Sequence, residues 1–394
     1  MTILMITPYL PYPLYSGGQI RTYHLLKYLA KKHDITLFSF IRNDNERQSV
    51  AHLQQFCKKV VVFKRRRAWS LVNILFAAFS FFPFLVAIYY SLGLKRAIQQ
   101  ELAQGKYDLI HAETFYVMPN IPKTTVPILL VEQTIEFQVY QHFVEKNPPF
   151  FLRPLLYFDV WKIKFWEERF WKKAERVVAM SEADRRVMRQ VVSDRDVDLV
   201  PNGVDLTFFR FPVHDNRAAR TILFVGNFNW LQNREAVLYL AKHVWPEIEQ
   251  RTPKARLLIV GRNPSRDIMR LASASILVRG DVEDIRTAYR DASVLVAPML
   301  GRGGTRYKIL EAMATGVPVV STPIGIEGIE AADEEEVLVR RDPSTISEAV
   351  AALLTDKELY SRIRKNARLL IEKKYSWDRI AATLDGLYEQ VGHV

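Results

Sequence analysis

Sulfur chemistry is nearly missing from this 394-residue chain, in which Cys57 is the one cysteine. A single thiol excludes an intramolecular disulfide framework and fits a reducing cytoplasm. The opening run, "MTILMITPYLPYP", lacks the basic flank of a secretory signal. It meets Pro8 after one short apolar stretch, so a buried first strand is expected there. Acidic side chains are in deficit: 43 Asp and Glu against 55 Lys and Arg leave a net charge of +12. That charge admits nucleic acid, an anionic membrane surface or phosphorylated small molecules as partners, with solvated surface charge as the plainer alternative. No zinc-ligand cluster, RNA-binding sheet signature or basic heptad array is present, which sets nucleic acid aside.

Charge vanishes altogether from Ala68 to Leu94, "AWSLVNILFAAFSFFPFLVAIYYSLGL", between "KRRR" (Lys64 to Arg67) and Lys95-Arg96. The length permits a membrane span. Central Pro83, polar Asn73 and basic residues on both flanks oppose one. The segment reads as two short helices packed on, or dipping from, the first domain.

The length calls for two domains. Apolar strands alternate with helical stretches throughout: "TILMI", "DITLFSF", "YDLIHA", "VPILLVE" and "RVVAMS" in the first half, "TILFVG", "ARLLIVG", "SVLVAP" and "VPVVST" in the second. This rhythm predicts two α/β, Rossmann-like doubly wound domains in tandem, with ligand at the carboxyl ends of the strands. The irregular "NGVDLTFFRFPVHDNRAAR" between the series reads as a linker. The expected domains are 1–202, completed by 376–394, and 203–375.

The densest chemistry lies in "GRGGTRYKILEAMATGVPVVST", Gly301 to Thr322. Gly316 and Pro318 end a helix expected over about Thr305 to Thr315. Its first turn would expose the amides of Gly303, Gly304 and Thr305, a natural phosphate site. Lys308 and Glu311 share a helix face, whereas Arg306 must act from the loop or first turn. A carboxylate further along suits vicinal hydroxyls. The reading is a clamp for a diphosphate and a ribose.

These residues resemble a known family. "RYKILEAMATGVPVVST" is similar to the donor segment of retaining family 4 glycosyltransferases (glycosyl transferases group 1), which have the two-domain GT-B fold. "PYPLYSGGQIRTYHLLKYLAKKHDITL", "RVVAMSEADRR", "LVPNGVDLTFF", "TILFVGNFNWLQNREAVLYL" and "LLIVGRNP" extend the likeness over nearly the whole chain. The helix around Trp377 is similar to one that crosses back to the first domain. The resemblance implies Glu311 on the nucleotide ribose and Arg306 and Lys308 on the diphosphate. It implies Gly17 and Gly18 in a turn facing phosphates and sugar, Gly226 after the first strand of the nucleotide domain, and backbone near Val282 at the base. The chain departs from it on both sides: Glu113 and Gln133 stand where many relatives carry a His, and two donor-side stretches differ. Many relatives carry a second Glu where this chain has Gly303, and an Arg and a Lys where it has "GNFNWLQN", so Arg306 and Lys308 are the candidates to take over the diphosphate.

On the acceptor side, His111 and Glu113 of "YDLIHAETF" are the candidates near the reacting sugar, with Gln133 and Glu136 of "VEQTIEF" beside the acceptor. The implied reaction moves a sugar from a UDP- or GDP-sugar to an acceptor hydroxyl with retention, in polysaccharide or glycolipid assembly. It needs neither metal nor cofactor; Asp196-Val-Asp198 reads as strand alternation rather than a metal site. A glycan or polyprenyl-linked acceptor, and a cytoplasmic enzyme peripheral on the inner face of the membrane, complete the expectation. A GT-B epimerase and a non-catalytic nucleotide-binding subunit are the competing readings.

Overall fold

The computed structural model describes residues 1–146, 148–193, 196–212, 216–301 and 305–392. The chain divides into two compact units, Met1–Pro201 with Trp377–Val394, and Asn202–Ser376.

The first unit is built on seven parallel strands: β1 (Thr2–Thr7), β2 (Asp34–Ile41), β3 (Lys59–Lys64), β4 (Leu109–Glu113), β5 (Ile128–Glu132), β6 (Arg176–Ala179) and β7 (Val197–Leu199), in the order 3-2-1-4-5-6-7. β1, β4 and β5 are almost wholly buried. Such strands are covered on both faces, which is why they read as unbroken apolar runs rather than alternating ones. The C-terminal helix Trp377–Gly392 belongs to this unit. Trp377 stacks on His24 at 5.2 Å, and Asp385 takes both His33 and Lys32.

The second unit holds six parallel strands: β8 (Thr221–Asn227), β9 (Arg256–Arg262), β10 (Ile276–Gly280), β11 (Val294–Ala297), β12 (Val319–Ser321) and β13 (Leu338–Val339), in the order 10-9-8-11-12-13. Both sheets reverse direction of growth beside their first strand, between β1 and β4 and between β8 and β11. Doubly wound sheets bind ligands at that switch point, beyond the carboxyl ends of the strands. The helical run after β8 passes through a π-type turn at Leu240–Val244 before Trp245–Arg251. Pro246 lacks an amide and crowds the preceding turn, which the wider turn relieves.

The charge-free segment folds as helices Leu71–Phe79 and Phe84–Tyr89, broken at Ser80–Pro83, and its last residues begin the helix Leu92–Gln104. Among the described residues no helix is long and apolar enough to cross a membrane.

Candidate functional site

In the second unit, β11 leads through Gly301 to the helix Tyr307–Ala314 at the switch point. The helix starts two residues later than the spacing predicts. Arg306 is its N-cap, with φ −85° and ψ 96°, so Thr305 lies outside it in the approaching loop. Gly303 and Gly304 lie outside the described residues. The far end closes as expected. Gly316 takes φ +68°, its amide donates to Met313 (3.2 Å), and that of Val317 to Ala312 (2.8 Å), a Schellman closure.

Lys308 is buried, although it is charged in water. Its Nζ donates to Asn233 Oδ1 at 2.8 Å and sits 4.2 Å over the Phe224 ring. Burial pushes its pKa down to about 7, the nearby Arg306 adds to that, and Glu311 opposes it. Asn233 in turn donates to the Asn227 carbonyl at 2.8 Å, next to Gly226. Arg306 is half-buried, donates from Nη2 to the Gly301 carbonyl at 2.6 Å, and is depressed to about 10 by burial. One turn on from Lys308, Glu311 keeps part of its surface open while its carboxyl lies deep. Burial raises its pKa against the Tyr289 hydroxyl, which donates to Oε2 at 2.6 Å, and against Lys308. The buried Thr305 hydroxyl has no hydrogen-bond partner among the described residues. Two partly desolvated cations and one carboxylate with spare acceptor capacity are thus gathered around a helix N-terminus. Such a site is prepared for an anion carrying hydroxyls.

In the first unit, a second group stands at the carboxyl ends of β4 and β5. The Tyr9 hydroxyl donates to Gln133 Oε1 (2.6 Å), and the Gln133 amide donates to Glu113 Oε2 (2.8 Å). His111 Nε2 lies 3.0 Å from Glu113 Oε1, and its Nδ1 lies 2.6 Å from the Tyr388 hydroxyl. Burial opposes ionisation of Glu113. The hydrogen bond and charge of His111, the charge of Arg21 and the Gln133 amide outweigh burial and hold its carboxyl below the usual range. His111 thus bridges Glu113 and the Tyr388 hydroxyl through its two ring nitrogens. Gly18 leaves room for this pair: a Cβ would stand 1.8 Å from the Tyr9 hydroxyl and 2.4 Å from Gln133 Oε1, so a larger residue would displace them.

Residues 219–356 match the family model described as Glycosyl transferases group 1, and residues 15–208 match Glycosyltransferase Family 4. The chain belongs to the group 1, family 4 glycosyltransferases. It is 21% identical to an uncharacterized 44.6 kDa protein in the cps region of Klebsiella pneumoniae, covering 97% of this chain and 98% of that one. It is 25% identical to the phosphatidyl-myo-inositol mannosyltransferase of Mycolicibacterium smegmatis over 75% of this chain and 74% of the relative. Sucrose-phosphate synthase from Thermosynechococcus elongatus shares the fold, with a TM-score of 0.74, 20% identity, and coverage of 99% and 98% of the two chains. The two doubly wound units are those of the GT-B fold.

In this glycosyltransferase the predicted residues fall into three places. Arg306, Lys308, Glu311 and Thr305 assemble in the second unit, with Gly226 near them through Asn233. A Cβ at Gly226 would lie 3.2 Å from that Asn233 side chain. Val282 is half-buried just beyond β10, packed against the cluster that contains Tyr289. In the first unit His111, Glu113, Gln133 and Gly18 converge, and Gly17 is the first residue of the helix Gly17–Leu29. Glu136 stands apart from them, among acids. Burial lifts it to about 7, and its amide donates to Glu167 Oε1 at 2.8 Å. Asp198, of the D-x-D pair, lies in β7 and pairs with Arg176 at 3.3 Å. Sequence reasoning did not find Tyr289, Asn233, Phe224, Tyr9 or Tyr388. Of these only Asn233 carried a signal, as part of "GNFNWLQN", where relatives hold cations.

Proposed function

We propose that this glycosyltransferase transfers a sugar from a UDP- or GDP-sugar to an acceptor hydroxyl with retained configuration. The observation that carries the reading is the buried Lys308, donating to Asn233 and packed on Phe224 one helical turn before a Tyr289-held Glu311. A cation kept poor in charge by burial gains most when a diphosphate arrives, and the loss of water strengthens the pairing. Glu311 accepts from the ribose hydroxyls. Lys308, Arg306 and the helix amides stabilise the charge that grows on the leaving phosphate as the acceptor attacks on the same face. That phosphate oxygen takes the acceptor proton, so no protein nucleophile or metal is used. Glu113 is wholly enclosed, with both oxygens engaged. Its role, with His111, is therefore to position Gln133 and Tyr9 at the carboxyl ends of β4 and β5. The likeness to the phosphatidyl-myo-inositol mannosyltransferase supports an acceptor in glycolipid assembly, and the acceptor proposed is a glycan or polyprenyl-linked chain presented at the cytoplasmic face of a membrane.

Incubation with a panel of nucleotide sugars tests this. Slow release of free nucleoside diphosphate is expected from one donor. The first-formed sugar, read by proton NMR, should keep the donor's anomeric configuration. Silence across the whole panel, or an inverted first product, contradicts the reading.

A further inference from the structure

Two helices of the first unit carry apolar stripes turned to solvent. On Leu71–Phe79, Leu71, Val72, Leu75 and Phe79 face outward while Asn73 and Ala77 are buried. On Arg153–Lys173, Leu155, Phe158, Trp161 and Phe165 are exposed at steps of three or four. That spacing puts a helix's apolar residues on one face, which a folded protein normally buries. Phe79 is 88% exposed on the first helix, Trp69 just before that helix 79%, and Phe150, in the turn that leads into the second helix, 81%. The two stripes form one surface. Buried Lys162 donates to the Ala77 and Phe82 carbonyls at 2.8 and 3.0 Å, and the Phe81 ring meets Trp161 at 5.6 Å and Phe165 at 5.1 Å.

The charge next to these apolar side chains is mainly positive, with Glu168, 3.8 Å from Lys164, as an acid on the second helix. Residues 68–94 carry none, and between Leu152 and Trp166 the one acid is Asp159. Asp159 is turned inward, accepting the Phe84 amide at 3.0 Å and lying 3.5 Å from Lys162. Arg66 and Arg67 are exposed at the start of the first stripe. Asn73 fixes their turn by donating to the Arg67 and Ala68 carbonyls at 3.1 and 3.2 Å. Lys164 is exposed on the second helix.

We infer that this aromatic, cation-rimmed cap inserts into the interfacial layer of an anionic lipid bilayer. The helix Leu71–Phe79 is roughly 13 Å long at about 1.5 Å per residue, far short of a bilayer core of about 30 Å. It therefore lies in the interface rather than across it. Aromatic rings and basic side chains are the residues that favour that layer. The inference deepens the membrane-peripheral part of the proposed function and leaves the donor chemistry untouched.

Co-sedimentation of the full chain with phosphatidylcholine vesicles, with and without phosphatidylglycerol, tests it. Binding is expected to both, stronger to the anionic vesicles, and weakened but not removed by high salt. The double substitution Phe79→Ser with Phe150→Ser should lower the partition coefficient by at least about tenfold for each ring lost from the lipid. Its unchanged nucleotide affinity, read by calorimetry, would show that the fold and the donor site are intact. In the unsubstituted protein, brominated lipid should quench the fluorescence of Trp69, and Trp69→Phe should remove that part of the quenching. Three results overturn the inference: no vesicle binding, binding that salt abolishes and the substitutions leave unchanged, or a dimer without vesicles that the substitutions dissolve. The last would make the cap a contact between two copies of the chain.

Discussion

Lys308 shows how a single residue's surroundings set its chemistry. Its Nζ has Asn233 and the Phe224 ring for company, and burial holds its pKa down at about 7, well below that of an ordinary lysine. A bound diphosphate restores the charged form and raises that pKa again, so binding takes up a proton. Nucleotide affinity should then be full below about pH 7 and fall as pH rises, by up to about tenfold per unit, until the pKa of the complex is passed. Titrations above pH 7, where the phosphate itself no longer titrates, should show this slope in the parent enzyme and lose it in Lys308→Met. A slope that survives the substitution assigns the proton elsewhere. The candidate residues were legible as types and spacings along one segment. Their partners were not, because Tyr289 reaches Glu311 and Asn233 reaches Lys308 from other elements, and such pairings leave no local pattern. The same holds for Glu113. "HAETF" marks it as polar at a strand end, but only the meeting of β4, β5, the first loop and the C-terminal helix shows that it is sealed off.

Among the elements, the helix Tyr307–Ala314 was predictable at one end and not at the other. Glycine in a left-handed conformation followed by Pro318 is a strong stop signal, and the Schellman hydrogen bonds bear it out. The start has no Ser, Thr or Asp cap; an extended Arg306 takes that place, which composition does not announce. The substitution Gly316→Ala should cost about 1–3 kcal/mol, since φ of +68° is strained for any other residue. The new Cβ would also press on Phe211 and Arg364, at 2.5 and 2.9 Å. Urea unfolding should show a lower midpoint with an unchanged slope; an unaltered midpoint would remove the closure from the account. The parallel strands were the most legible elements, because strands buried on both faces must be apolar along their whole length. The π-type turn at Leu240–Val244 was hidden inside a helical pattern that Pro246 interrupts only locally.

At the scale of the molecule, the chain's last helix completes its first unit. Trp377 stacks on His24, Asp385 takes His33 and Lys32, and Tyr388 closes the hydrogen-bond chain to Glu113. Removal of residues 377–394 should therefore lower the unfolding temperature of the first unit selectively. The second unit should keep a separate transition that rises on addition of the bound nucleotide. Calorimetric scanning would check this, and a truncation that shifts both transitions equally would argue against it. The alternation of strands and helices made the doubly wound architecture visible from the sequence, since each strand–helix pair is a local pattern. The exposed aromatic surface was only half visible: a charge-free segment is easy to see, but which of its side chains face solvent depends on Lys162 and Asp159 anchoring it from another helix.

The central claim, that the second unit holds a nucleoside diphosphate with Glu311 on its ribose, is tested most directly by calorimetric titration of UDP and GDP into the parent protein and Glu311→Ala. One nucleotide should bind the parent protein, and the substitution should weaken it by about a hundredfold, the worth of two charge-assisted hydrogen bonds. Equal affinity in both proteins, or no binding of either nucleotide to the parent, would contradict it.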